Sequence, residues 1–286
     1  MSRVVTQPVF GSPGVLLRVG RKARRTGRFP QLAHPWHDNH MSIESDDDLK
    51  GMLEVGRVTT ATLDALQREV APGITTGELD ALAADVLQRN GARSAPALIY
   101  GFPGTVLISV NDEIVHGIPG KRRLHAGDLV SLDVTIEKDG FIADAARTVV
   151  VGAASAEARS LIEAATASLT AALAVARAGA RVNAIGRAVD AEVRRRGFRV
   201  VHGLSGHGVG RAIHEAPEVP NFYDRSQPDV LNEGLVLTIE PMITSGSPYP
   251  IQDDDGWTIR TRDGCLAAHC EHTLVITTAA PIVIAA

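Results

Sequence analysis

From Ser45 onward, apolar positions recur at helical spacing. Leu49, Met52, Leu53, Leu63, Leu66 and Val70 fall on one face of a helix. Gly56 and Thr60 share that face and weaken the stripe in its middle. Ser45 is placed to cap this helix, the acids at 46–48 sit in its first turn, and Pro72-Gly73 ends it. Thr75 or Thr76 caps a second helix whose buried face is Leu79, Leu82, Ala83, Val86 and Leu87, and Gly91 stops it. Residues 157–178 read as an Ala-rich helix broken by Gly179. Asn183 caps a further helix that carries Ile185, Val189 and Val193 and ends at Gly197. The run Phe198-Arg-Val-Val-His202 then predicts a strand.

The second group of helices repeats the first. Sliding it back by 106 positions puts Gly179 on Gly73 and Gly197 on Gly91. The apolar runs repeat as well: Gly127–Val134 resembles Gly234–Pro241, and Asp144–Val151 resembles Glu271–Thr277. A duplication of this size predicts two pseudo-symmetric α/β halves around an antiparallel sheet, an α+β fold with a site at the seam.

The repeated runs contain acids where apolar residues are expected. Asp133, Asp144, Glu240 and Glu271 each lie within or at the end of a strand-like segment. Any one of them could sit solvated at a strand end. Four in two repeated pairs call for a shared counter-charge, because a buried carboxylate without one is costly. Only Arg147 is close in sequence to any of them. Divalent metal is the simplest answer, since carboxylates are hard oxygen donors that can bridge two ions. His207, flanked by glycines in Gly206-His-Gly-Val-Gly-Arg211, is the candidate nitrogen donor, with His214 nearby. That segment lacks the spacing of a dinucleotide loop, Gly203-Leu-Ser205 is not a nucleophile elbow, and no H-E-x-x-H is present.

Composition narrows the setting. The chain has 286 residues and a net charge of −4, so the overall balance asks for neither DNA nor an anionic membrane. Two cysteines, Cys265 and Cys270, fit a reducing compartment. No apolar run is long enough to span a bilayer and no secretory signal is evident, so a cytoplasmic location is expected. Residues 1–41 stand apart as a flexible basic arm before a catalytic domain at 42–286. Arg3, Arg18, Arg21, Lys22, Arg24, Arg25 and Arg28 face a single acid, Asp38, and prolines interrupt any helix. A solvated tail or a start codon placed too early, with Met41 opening the domain, accounts for the arm. Its electrostatic partner would be a polyanion such as ribosomal RNA.

Several ordered segments together resemble the type I methionine aminopeptidases of the pita-bread metallopeptidase fold, from about residue 42 to the C-terminus. They are Ser109-Val-Asn-Asp-Glu-Ile-Val-His-Gly-Ile-Pro119, Gly206-His-Gly-Val-Gly-Arg-Ala-Ile-His-Glu-Ala-Pro217, Thr238-Ile-Glu-Pro-Met242, Asp255-Gly-Trp-Thr258 and Glu271-His-Thr273. The resemblance implies removal of the initiator methionine from nascent chains when the second residue is small and uncharged. It implies two divalent ions per subunit (Co, Mn, Fe, Zn or Ni) held by Asp133, Asp144, His207, Glu240 and Glu271. Glu240 is then also the general base, His116 and His214 contact the substrate, and Trp257, Phe102 and Tyr100 belong to the methionine pocket. A monomer is expected. The alternatives are an Xaa-Pro peptidase of the same fold and a non-catalytic binding module. The sequence departs from the family pattern at Ala145, beside the second aspartate, and at Pro96 and Leu107, where cysteines are common. Ile99 stands in the register of the pocket tyrosine, with Tyr100 next to it, and His269 replaces the usual Gln two residues before the last glutamate.

Overall fold

The structure, a computed structural model, describes residues 43–286, so the basic arm lies outside the described residues. The first half runs α1 (Asp46–Glu69), α2 (Thr76–Arg89), β1 (Arg93–Ser94), α3 (Ala95–Tyr100), β2 (Leu107–Val110), β3 (Glu113–Val115), β4 (Leu129–Lys138) and β5 (Phe141–Val150). The second runs α4 (Ala156–Leu173), α5 (Val182–Arg195), β6 (Arg199–Val200), β7 (Ser205–Gly208), β8 (Glu215–Pro220), β9 (Val236–Ile239) and β10 (Met242–Thr244). It closes with β11 (Pro250–Gln252), β12 (Ile259–Thr261), β13 (Ala267–His269), β14 (His272–Val275) and β15 (Ile282–Ala285). The offset read from the glycines carries α2 onto α5 and β1 onto β6 residue for residue.

Each half buries its helices against its own strands. In the first, Met52, Leu63, Leu66 and Leu79 pack on Val130, Leu132, Val134 and Ile136 of β4. In the second, Leu161, Ile185, Val189 and Val193 pack with Leu237, Ile239 and Leu274. Each such side chain contributes roughly 1.5–3 kcal/mol by leaving water. β4 is buried on both faces, yet its alternation is clean. The even positions face the helices, while Ser131, Asp133 and Thr135 share the other face, as the period of two in a strand requires. That second face is covered by the other half of the molecule. β5 pairs with β4 along its full length, and Ala146 of β5 bridges Glu271 just before β14. The named strand pairs are all antiparallel: β1-β4-β2 with β5 on β4, and β15-β14-β9-β7-β8.

Local signals were legible to different degrees. Ser45 Oγ accepts from the Asp48 N–H, and Thr75 forms a complete capping box with Glu78. Gly56 interrupts the apolar stripe for a steric reason: a Cβ there would lie 2.0 Å from the carbonyl oxygen of Ile284, where β15 presses on α1. Other expectations need correction. The helix expected at 157–178 stops at Leu173, because the N–H groups of Ala178 and Gly179 donate instead to the carbonyls of Thr277 and Leu231. Asn183 is not a cap. Arg181 holds that position without a side-chain hydrogen bond, and the Asn183 amide bonds the backbone of Asp224. The strand expected over 198–202 shrinks to β6, and α3 was not anticipated because it spans only six residues.

Candidate metal centre and substrate cavity

The four acids converge at the seam. Asp133 and Asp144 come from adjacent strands of the first half, and Glu240 and Glu271 flank β9 and β14 of the second. Pairing of Ile239 with His272 places the two glutamates at the end of the β9–β14 ladder. The seam is closed by reciprocal bonds. The Asp144 N–H donates to Thr273 Oγ1 at 2.9 Å, and that hydroxyl donates back to the Asp144 carbonyl at 2.7 Å. His207 sits in β7 beside a register shift at Gly208. A Cβ at Gly208 would lie 2.2 Å from the Ala216 carbonyl, so the strand can turn there only with glycine.

Threonines orient the donors. Thr238 Oγ1 accepts from the His207 N–H at 3.0 Å and donates to Glu240 Oε1 at 2.9 Å. Thr135 Oγ1 donates to Asp144 Oδ2 at 2.9 Å, so the support absent at Ala145 comes from the facing strand. Two groups of donors each gather within 4.8 Å: Asp144, His207 and Glu271, and Glu240, His269 and Glu271. Glu271 belongs to both. Asp133 lies at their edge, with Oδ2 4.0 Å from His269 Nδ1.

The electrostatics are unfavourable for the protein alone. Burial, then the charges of Asp144 and Glu240, pushes the Asp133 carboxyl well above its ordinary range. Burial and neighbouring carboxylates do the same to Glu240 and Glu271. Burial raises Asp144 to about 6 against the opposing hydrogen bond from Thr135. Burial also holds His207 neutral, lowered to about 4, and His269 at about 3. Asp133 Oδ1, Asp144 Oδ1, Glu271 Oε1 and both His269 ring nitrogens are buried without a hydrogen-bond partner. Buried oxygens that repel one another, neutral imidazoles and unsatisfied lone pairs are the donor set that divalent cations complete. The residues present therefore fit two metal ions.

A cavity of about 90 Å³ opens onto these donors. His116, His214, Tyr100 and Trp257 line it together with Pro96, Leu107 and Met242. Tyr100 Oη lies 2.7 Å from His214 Nδ1, and the His214 ring meets the His207 ring at 4.3 Å. Phe102 does not line the cavity; it stacks edge-on to Trp257 at 5.1 Å and backs that wall. Of the two candidates for the pocket tyrosine position, Tyr100 reaches the cavity, while Ile99 is largely exposed. Sequence reasoning treated His269 as a replaced Gln rather than a donor. Its closeness to Glu271, two positions on, was the available signal.

Residues 50–278 match the model of metallopeptidase family M24. A protein named methionine aminopeptidase 2 from Bacillus subtilis (strain 168) is 39% identical over 246 residues, covering 85% of this chain and 99% of the relative. The crystal structure of methionine aminopeptidase from Rickettsia prowazekii superposes with a TM-score of 0.83 at 32% identity, covering 87% of this chain and 100% of that one. A prolidase from Pyrococcus furiosus shares the fold, with a TM-score of 0.67 at 22% identity, but only 64% of that chain is covered.

Proposed function

The chain belongs to metallopeptidase family M24, and from that premise we propose that it is a methionine aminopeptidase, releasing the N-terminal methionine of new polypeptides whose second residue is small and uncharged. The observation that carries this reading is the pair of donor groups sharing Glu271 beside a cavity walled by Trp257, Tyr100 and two histidines. Asp133, Asp144, His207, Glu240 and Glu271 would hold two divalent ions. Such ions, when bound, lower the pKa of a shared water and polarise a carbonyl.

The chain's own groups do the rest. Glu240 takes the proton of the attacking water and returns it to the leaving amine, a contribution of about 10²–10⁴-fold. The phenol of Tyr100, raised to about 12 by burial, stays protonated 2.7 Å from His214 Nδ1, where it can donate to the tautomer that keeps its proton on Nε2. His214 Nε2 then carries the proton offered to the developing oxyanion, with His116 on the same cavity wall. Trp257, braced by Phe102, receives the methionine side chain. The cavity, about 90 Å³, suits one side chain, and the preference for a small second residue is what the likeness to the methionine aminopeptidases implies.

Turnover of Met-Ala-Ser and Ala-Pro peptides tests this. Release from Met-Ala-Ser is expected, and release from Ala-Pro alone would replace the reading with an Xaa-Pro peptidase. The same proposal has a monomer in the cytoplasm and treats the basic arm first as a solvated tail or a start codon placed too early, with ribosomal RNA as its electrostatic partner if it binds. Deleting residues 1–40 should leave short-peptide cleavage unchanged, and weakened ribosome co-sedimentation at low salt would favour the RNA partner.

A further inference from the structure

His269 is a buried imidazole among the carboxylates to which neither the ligand set nor the substrate cavity gives a role. It sits at the end of β13, where its backbone N–H and carbonyl are both satisfied by Thr148 Oγ1 of the facing strand, at 2.8 and 2.7 Å. That anchor fixes the backbone from which the ring projects. The ring is 1% exposed, and neither nitrogen has a hydrogen-bond partner. Nε2 lies 3.8 Å from Glu240 Oε2 and 3.8 Å from Glu271 Oε2.

These separations decide between two roles. A hydrogen-bonded imidazole would hold its carboxylate at about 2.7–3.2 Å. Two donors bound to one ion at about 2.0–2.2 Å each stand roughly 3–3.6 Å apart at usual ligand angles and at most about 4.4 Å apart. The observed 3.8 Å to both glutamates is too long for a hydrogen bond and within the reach of two ligands of one ion. The undisputed histidine candidate gives a control on the same glutamate: His207 Nε2 lies 3.5 Å from Glu240 Oε1. Glu240 thus turns one oxygen toward each imidazole.

We propose that His269 is a sixth protein ligand, donating through Nε2, so that two imidazoles serve the two ions instead of one. This rests on the metal reading given above. An amide at this position, as in the resembling family, could not supply an imidazole nitrogen. The added nitrogen tilts the site toward imidazole-preferring ions such as Zn, Ni and Co, and away from Mn or Mg.

X-ray absorption on the zinc-loaded full chain counts the imidazoles directly. With two zinc ions bound, about one imidazole per zinc is expected, and about half that number overturns the proposal. In H269Q the count should fall by half. Calorimetric titration of the metal-stripped chain with Co(II) should show one of two sites weakened about tenfold or more in H269Q, on the scale of losing one liganding contact. Equal affinities in both proteins overturn the proposal. The wild-type imidazole count keeps the test open should H269Q fold poorly. A wild-type chain that takes up no zinc would instead sink the metal reading itself.

Discussion

The two halves of this molecule share a scaffold and differ in what they bring to the seam. Each has two long helices over paired antiparallel strands and its own apolar core, the first adding the short α3. Each sends two carboxylates across, Asp133 and Asp144 from one side, Glu240 and Glu271 from the other. Among the described residues, the imidazoles within the donor groups, His207 and His269, both come from the second half, while the first half gives His116 to the cavity wall. Two residues before Asp144 stands Ile142, buried in the helix-facing core; two residues before Glu271 stands His269. The strands differ too. β4 and β5 pair continuously over ten residues each, while β9 and β14 pair over four. A duplicated fold supplies symmetric oxygen donors readily, since alternation repeats with the strands. The asymmetry needed to distinguish two ions, or the two sides of a substrate, came from substitutions in one copy.

Removing metal should have the largest effect on this balance. Chelation is expected to abolish peptide release, and metal at a hundredfold over its Kd stabilises the fold by about 2.7 kcal/mol per site. The metal-free protein should also acquire a pH dependence. Its four carboxyls have raised folded-state values, so the stability they allow is fully present below their ordinary range and is lost as pH rises through the folded values. His207 and His269 act in the opposite sense, costing stability only as pH falls below about 6.5, the ordinary value for imidazole. Above about pH 6.5, where the imidazoles no longer titrate, Asp133, Glu240 and Glu271 should lower the Tm of the chelated protein as they ionise. A calorimetric Tm that is flat or rising over that window would contradict this picture of the seam.

Smaller changes sharpen the difference between the halves. Thr238 supports a histidine and a glutamate at once, whereas Thr135 supports only Asp144. Thr238→Val should weaken metal binding by about 10–100-fold. Thr135→Val should weaken it less, and titration of both variants with one metal would compare them. At the helix starts the contrast is between Thr75, with its full capping box, and Arg181, with no side-chain cap. Thr75→Ala should cost about 1 kcal/mol, and Arg181→Asp should gain a similar amount, read as opposite shifts in urea midpoint.

The starts of α1 and α2, the stops at Gly91 and Gly197 and the acids in apolar runs were readable from local chemistry, because each depends on neighbours a few residues away. The duplication was readable because two copies of the same pattern reinforce each other. The end of α4 was not, since the backbone groups that stop it bond Thr277 and Leu231, about a hundred and about fifty residues further along the chain. Nor was the role of Asn183, whose amide is claimed by the loop at Asp224.

By itself the sequence determined the strand faces: in β4 a period of two sends Val130, Leu132 and Val134 to the helices and Asp133 to the opposite side. It also determined that four such acids needed a shared counter-charge. Only the tertiary structure decided which donors stand within reach of one another. It brought Thr238 between His207 and Glu240, left Phe102 behind Trp257, and set His269 among the carboxylates. The physical reason is distance: a ligand set is defined by separations of a few ångströms across the seam between the halves, and no periodicity along the chain encodes how the two halves meet.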